Sequence, residues 1–170
     1  PPRNRTTVEA TAENFSRATA TVGVMPIMEN IATLIDPPGS GLDEASWLCA
    51  LLSASGGKLL LDLHNVYANA VNLGFDAIAF LDRLPLDNVG AIHLAGGKWI
   101  PAGDGNRRLL DDHLHDVPDP VYALLEHVAA RTSTPLTVIL ERDGNYPPML
   151  DLLVQLDRAR SADERGSAVP

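Results

Sequence analysis

The chain has 170 residues, 45% of them hydrophobic and 21% charged, which is the composition of one globular domain of ordinary size with a real core. Asp and Glu outnumber Lys and Arg 22 to 13, and the resulting net charge of −9 argues against a nucleic-acid backbone or an anionic membrane as the main partner. No apolar run approaches the ~18 residues of a membrane helix, the opening PPRNRTT has no signal-peptide core, and the single Cys49 can form no internal disulfide, so a cytoplasmic protein is expected.

The chain opens with Pro1 rather than methionine, and Thr7–Ala20 reads as a helix. Val22–Met28 (VGVMPIM) then reads as a short, almost wholly apolar strand of the kind found where a parallel sheet is covered on both faces. Gly39-Ser40-Gly41 and Gly56-Gly57 bracket a helix over Leu42–Ser55, in which Cys49 shares helical spacing with Trp47, Leu48, Leu51 and Leu52 and reads as core. Lys58–Leu63 (KLLLDL) is the second strand, Asp76–Arg83 the next helix, and Val89–Leu94 (VGAIHL) the third strand, closed by Gly96-Gly97. Trp99 and the loop around Gly103-Asp104-Gly105 read as a lid or an ordinary surface loop. Asp119–Arg131 is a helix with Asp119 as N-cap and Pro120 at its first position, Leu136–Leu140 the fourth strand and Pro148–Arg160 the last helix. Residues 161–170 read as a disordered tail.

Helix and strand therefore alternate throughout, the signature of an α/β fold with parallel strands and outer helices. Two of the repeats run to 36 and 31 residues, close to the ~31 per unit of an eight-unit TIM barrel of about 250 residues, so residues 1–160 amount to four consecutive βα units, half a barrel. An open doubly wound sheet is the alternative, weakened because no strand is followed by a G-x-G-x-x-G or Walker loop. Half a barrel would leave two unpaired sheet edges and an uncovered interior, which leads to the expectation that the complete protein is longer.

The chemistry concentrates at the strand ends. Strand one runs into Glu29 and Asn30, strand two carries Asp62, His64 and Asn65, strand three His93, and strand four runs into Glu141 and Asp143. A further cluster, Asp111, Asp112, His113 and His115, lies between strands three and four. In parallel α/β folds these ends converge on the face that holds the active site. Buried carboxylates are costly unless paired or bound to a metal, so several of them beside imidazoles call for a cation. Taken singly, His93 reads more readily as a structural histidine, Asp62 equally as a helix cap and Asp111–His115 more readily as a solvated loop; it is the pattern of four ends out of four that points to a metal. Histidine and carboxylate donors without thiolate suit iron, manganese or zinc, and the absence of H-E-x-x-H argues against a zincin.

LLLDLHNVYANAVNLGFD, AIHLAGG, LLDDHLHDVPDPVY and LERDGNYPP, in that order and preceded by Met28-Glu29-Asn30, closely resemble the multinuclear non-heme iron-dependent oxidative enzymes, the peptide-modifying family that includes the methanobactin-biosynthesis oxidase. The resemblance spans residues 5–158 and implies the C-terminal half of a TIM barrel whose strand ends bind two or three iron ions. Glu29, Asp62, Asn65, His93, Asp111, His113 and Glu141 are the ligands it implies, with Asn30, His64, His115 and Asp143 as additional site residues. It also implies an oxidation of Cys-containing, ribosomally made precursor peptides, and a small partner protein that presents the leader. The chain departs from the family pattern at His64, where the family usually has Asn, and lacks the first barrel half with its two further histidine ligands. Two other functions remain open at this level: a zinc or manganese isomerase or phosphodiesterase of the xylose-isomerase-like type, and a metal-free binding module.

Overall fold

In the computed structural model, which describes residues 1–103 and 105–169, the chain begins with α1 (Arg5–Val22). Asn4 and Thr7 form a capping box at its start, and Gly23, with φ of 81°, ends it in the left-handed conformation. The expected strand over Val22–Met28 is therefore only the two-residue β1 (Met28–Glu29). The apolar run suggested a longer strand, but Gly23 terminates a helix within it and Pro26 has no N–H to offer a ladder.

The helix α2 (Glu44–Ser55) is capped by Asp43 and leads into β2 (Leu59–Asp62). A helix that the sequence reading did not contain, α3 (Leu63–Leu73), follows with no intervening loop, because Asp62 is both the last residue of β2 and the N-cap of α3. The helix expected over Asp76–Arg83 shrinks to the single turn and a half of α4 (Ala77–Leu81). After β3 (Val89–Leu94) an unexpected antiparallel hairpin forms from β4 (Gly97–Pro101) and β5 (Arg107–Asp111). Trp99 thus belongs to a strand, and Asp104, at the centre of the expected loop, lies outside the described residues. The chain then runs through α5 (Asp119–Ala129), whose N-cap position is Pro118 instead of Asp119 and makes no capping hydrogen bond, β6 (Val138–Leu140) and α6 (Met149–Ser167).

One four-stranded parallel sheet, in the order β1-β2-β3-β6, carries the fold, so β1 and β6 are its edges as chain-order pairing predicts. Among the described residues no helix is long and apolar enough to cross a membrane. Leu59 and Leu61 of β2 and Ile92 and Leu94 of β3 point to the helices and are fully buried with Leu48, Leu51, Val121 and Leu125. The opposite face differs from the sequence expectation of a sheet covered on both sides. Ile27 and Ile139 on that face are 46% and 43% exposed, so among the described residues that face is left partly open.

The disordered tail is a second correction. α6 runs to Ser167, with Ala162 and Gly166 buried against α5. The polar sequence of residues 161–170 concealed this because the contact is made by small residues, not by an apolar stripe. A Cβ on Gly166 would lie 2.2 Å from the Glu126 carbonyl oxygen and 2.7 Å from the Ala129 Cβ. Gly166→Ala should therefore destabilise the protein by about 1–3 kcal/mol in urea unfolding, through overpacking of the α5–α6 contact; an unchanged midpoint would mean that α6 does not pack there.

Candidate metal centre

Because side chains alternate along a strand, the face opposite the helices collects every second residue. Leu60 pairs with Glu29 on one side and Ala91 on the other, and Asp62 pairs with His93, which pairs with Ile139. The Glu141 N–H continues the ladder by donating to the Leu94 carbonyl at 2.9 Å. Glu29, Asp62, His93 and Glu141 consequently fall on one face at the C-terminal ends of four neighbouring strands, and one donor atom from each lies within 4.8 Å of the others. His113, Glu141 and Asp143 form a second such group, so Glu141 belongs to both.

The directions of these groups matter as much as their spacing. His93 Nδ1 is 2.8 Å from Glu141 Oε2 and 3.3 Å from Glu29 Oε1, yet it makes no hydrogen bond. Asp62 Oδ2, Asn65 Oδ1, His113 Nε2 and Glu141 Oε2 are likewise buried without a hydrogen-bond partner. Orphaned buried donors and acceptors of this kind are rare, and each one calls for a cause. Several of them collected at one rim, all of ligand type, fit a cation bound among them.

The remaining candidates from the sequence stand in different relations to this cluster. Asn30 is buried, but both ends of its amide are engaged with the Asp62 backbone, each at 2.9 Å, so it braces the strand end and has no free donor. Asn65 donates to the Asn30 carbonyl at 2.9 Å and keeps Oδ1 free. Asp111 stands beside the groups rather than in them: its Oδ1 accepts from the fully buried His64 at 2.6 Å and its Oδ2 is 3.0 Å from His113 Nε2. His115 is half exposed and pairs with Asp112 at 2.8 Å, outside both groups. Backbone strain marks the centre too, for His113 has φ of 53°, a conformation costly for a histidine.

Electrostatics follow from the crowding. Burial pushes the Asp62 carboxyl up to about 7; the Asn65 N–H opposes this, and Asp111 and Glu29 add to it. For His113 burial lowers the pKa, but Asp111, Glu141, Asp62 and Asp143 together outweigh it and raise it. Asp112 is the contrast: burial would raise it, but hydrogen bonds from His115 and the Leu114 N–H hold it low. A cavity of about 610 Å³ lies elsewhere, between α2 and α4. Its charged lining residues Arg3 and Arg83 are already paired with Asp36, Glu44 and Asp43, so it offers no unsatisfied group comparable to those at the strand ends.

Two positioning residues escaped the sequence reading. Asn69 accepts from the Thr33 N–H at 2.7 Å and donates to the Ile31 carbonyl at 2.9 Å, fixing the loop after β1. Asn72 binds both backbone groups of Leu109 at 2.8 Å and so docks β5 on α3. The spacing of Asn65, Asn69 and Asn72, at i, i+4 and i+7, was the available signal: a polar stripe on one face of an otherwise apolar helix.

A parallel α/β sheet with polar groups gathered at its C-terminal strand ends has the arrangement on which α/β enzymes build their active sites. The comparison with known proteins narrows it. A family model described as RiPP precursor modification enzyme MbnB/TglH/ChrH matches residues 1–164, and the chain belongs to that family. Similar proteins include a UPF0276 protein of Bordetella bronchiseptica, 46% identical over 84% of this chain and 49% of its own length. A UPF0276 protein of Streptomyces avermitilis is 38% identical over 96% of this chain and 32% of its own length, and one of Caulobacter vibrioides is 38% identical over 83% and 49%. The chain thus spans about half the length, or less, of these relatives.

The raised groups give a pH dependence to protein held in a chelator. The folded state keeps the Asp62 proton up to about pH 7, whereas the unfolded chain releases it near the ordinary aspartate value of 3.8. The folded state therefore binds more protons than the unfolded one in between, and stability falls as pH rises through that window. His113 acts in the same sense, its contribution complete below 6.5 and lost as pH rises through its higher folded value. Between pH 5 and 8 the chelated protein should lose roughly 2–4 kcal/mol of unfolding free energy, and Asp62→Asn should remove most of that slope. Urea unfolding in EDTA across this range measures it, and a flat profile would show that the folded state does not retain the Asp62 proton.

Proposed function

We propose that this chain is the metal-holding part of an oxidative enzyme that modifies Cys-containing, ribosomally made peptides in the cytoplasm, with more than one iron ion as its cofactor. The observation that carries the reading is the cluster itself: four strand ends supply donors within 4.8 Å of one another, and three of those donors are buried without a hydrogen-bond partner. Glu29, Asp62, His93 and Glu141 would hold one ion, and His113, with Glu141 shared and Asp143 adjacent, a second. Iron in such a site supplies a Lewis acid for a substrate thiolate and the redox capacity to use dioxygen. Membership of a family of RiPP precursor modification enzymes supports the peptide substrate.

The chain's own residues supply the geometry. Asn30 fixes the Asp62 backbone and the Asn65 N–H holds its carboxylate at 2.7 Å, leaving Oδ2 to face the cluster. Cation binding releases the proton that burial otherwise keeps on Asp62, so the site exchanges protons for metal. His64 holds one oxygen of Asp111 and thereby turns the other toward His113. The exposed Ile27 and Ile139 beside the cluster suit a closed (β/α) barrel, in which further βα units cover that face and a small partner protein delivers the leader of the precursor.

Elemental analysis of anaerobically purified protein tests the reading. Iron should be present and oxygen consumed with a Cys-containing precursor peptide. His93→Ala should lose at least tenfold in iron affinity, as removal of one ligand does, while urea unfolding stays cooperative. Zinc alone would favour the isomerase or phosphodiesterase chemistry, and full iron occupancy in His93→Ala would make His93 structural.

A further inference from the structure

The β4–β5 hairpin has one sealed edge and one open edge. The N–H and C=O of Leu109 face away from β4, and the Asn72 side-chain amide meets both at 2.8 Å, closing the β5 edge as a third strand would. Arg108 reinforces this by donating to the Asn72 carbonyl. The Ala102 N–H donates to the Asn106 carbonyl at 2.8 Å. The hairpin register then makes Lys98–Leu110 and Ile100–Arg108 the hydrogen-bonded pairs and Trp99–Leu109 a non-hydrogen-bonded one. The N–H and C=O of Trp99, like those of Gly97, consequently point outward from β4, and no described residue receives them. Pro101, with a carbonyl but no N–H, ends this edge. Exposed edges usually carry devices that block pairing; here only the far end is blocked.

The same alternation puts Gly97, Trp99, Pro101, Arg107, Leu109 and Asp111 on one face of the hairpin. Asp111 is 3.0 Å from His113 Nε2, so a strand added along β4 would send alternate side chains onto the face that ends at the metal centre. Arg107 is the one cation among these six residues, and Asp111, the one carboxylate, is engaged by His64. The net charge is −9, yet the Arg107 guanidinium lies 5.5 Å above the half-exposed Trp99 ring with no carboxylate partner among the described residues.

We propose that the open edge of β4, at Gly97 and Trp99, receives an extended acidic segment of the peptide substrate as an added strand, with Arg107 meeting one of its carboxylates. The proposal rests on reading the chain as peptide-modifying and adds where the peptide lies and what recognises it: main-chain hydrogen bonds for affinity and alternate side chains for selectivity.

The test uses the full 170-residue chain in EDTA, so that peptide docking and metal binding are read separately. The probe is a fluorescein-labelled nine-residue peptide of alternating glutamate and threonine, followed by fluorescence anisotropy. Saturable binding is expected. It should weaken about tenfold or more when alternate amides of the peptide are N-methylated, and similarly with Trp99→Pro, which removes an outward N–H but no ladder bond. Arg107→Ser and a lysine-for-glutamate peptide should each weaken binding several-fold. Absence of saturable binding, or equal affinity for the methylated peptide, would overturn the proposal, and the methylated peptide decides the matter even if Trp99→Pro fails to fold. Loss of iron in His93→Ala with peptide binding intact would leave both readings standing; peptide binding in a protein that never holds iron would sink the metal reading alone.

Discussion

A buried carboxylate surrounded by other carboxylates is the constraint on which this structure turns. Asp62 is fully buried, with Asp111 and Glu29 near enough to raise its pKa further. The interior repays such a burial only through a counter-charge or a retained proton. Much of the surrounding architecture keeps the group in place despite that cost. Asn30 clasps the Asp62 backbone from β1, and Asp62 itself caps α3, so strand and helix join with no loop to relax into. Without a counter-charge, such a site holds its protons.

The sheet divides its labour by the parity of residue number. In β2 and β3 the odd-numbered leucines and the even-numbered Ile92 and Leu94 make the core, and their neighbours Asp62 and His93 make the site. A one-residue slip in either strand would exchange the two sets, burying the carboxylate or imidazole among leucines and turning the apolar side chains outward. The full burial of Leu59, Leu61, Ile92 and Leu94 therefore fixes the register that aligns Asp62 with His93. Apolar packing, rather than the ligands themselves, specifies where the donors converge.

The parallel strands and the converging ends were legible because both depend on local pattern: short apolar runs, each followed at once by a polar group. Glu29, Asp62, His93 and Glu141 could be chosen on that ground alone. What the pattern could not supply was geometry across the chain. Asn30 looked like a donor but spends its amide on the Asp62 backbone, and His115 looked like a neighbour of the site but turns to Asp112. The hairpin was missed because Gly97–Pro101 and Arg107–Asp111 show neither clean alternation nor an Asn-Gly turn. α3 was missed because the chain passes from strand to helix inside one apolar stretch, where no turn residue announces the change.

His64 shows how a fully buried imidazole is accommodated, for the space comes from Gly97. A Cβ there would lie 2.7 Å from the His64 ring and 2.1 Å from the Leu110 carbonyl oxygen. The first residue of β4 thus has no room for a side chain, and the ring that fills the space binds Asp111 at the last residue of β5. Asn72 secures the same strand two residues earlier through Leu109. The hairpin is therefore tied to α3 at two points, and α3 is tied by its cap to Asp62. A displacement of the hairpin would have to break the His64–Asp111 pair or move the helix that begins on Asp62. The exposed strand and the buried carboxylate are in this way parts of one rigid unit, with the Asn65–Asn69–Asn72 stripe running along its spine.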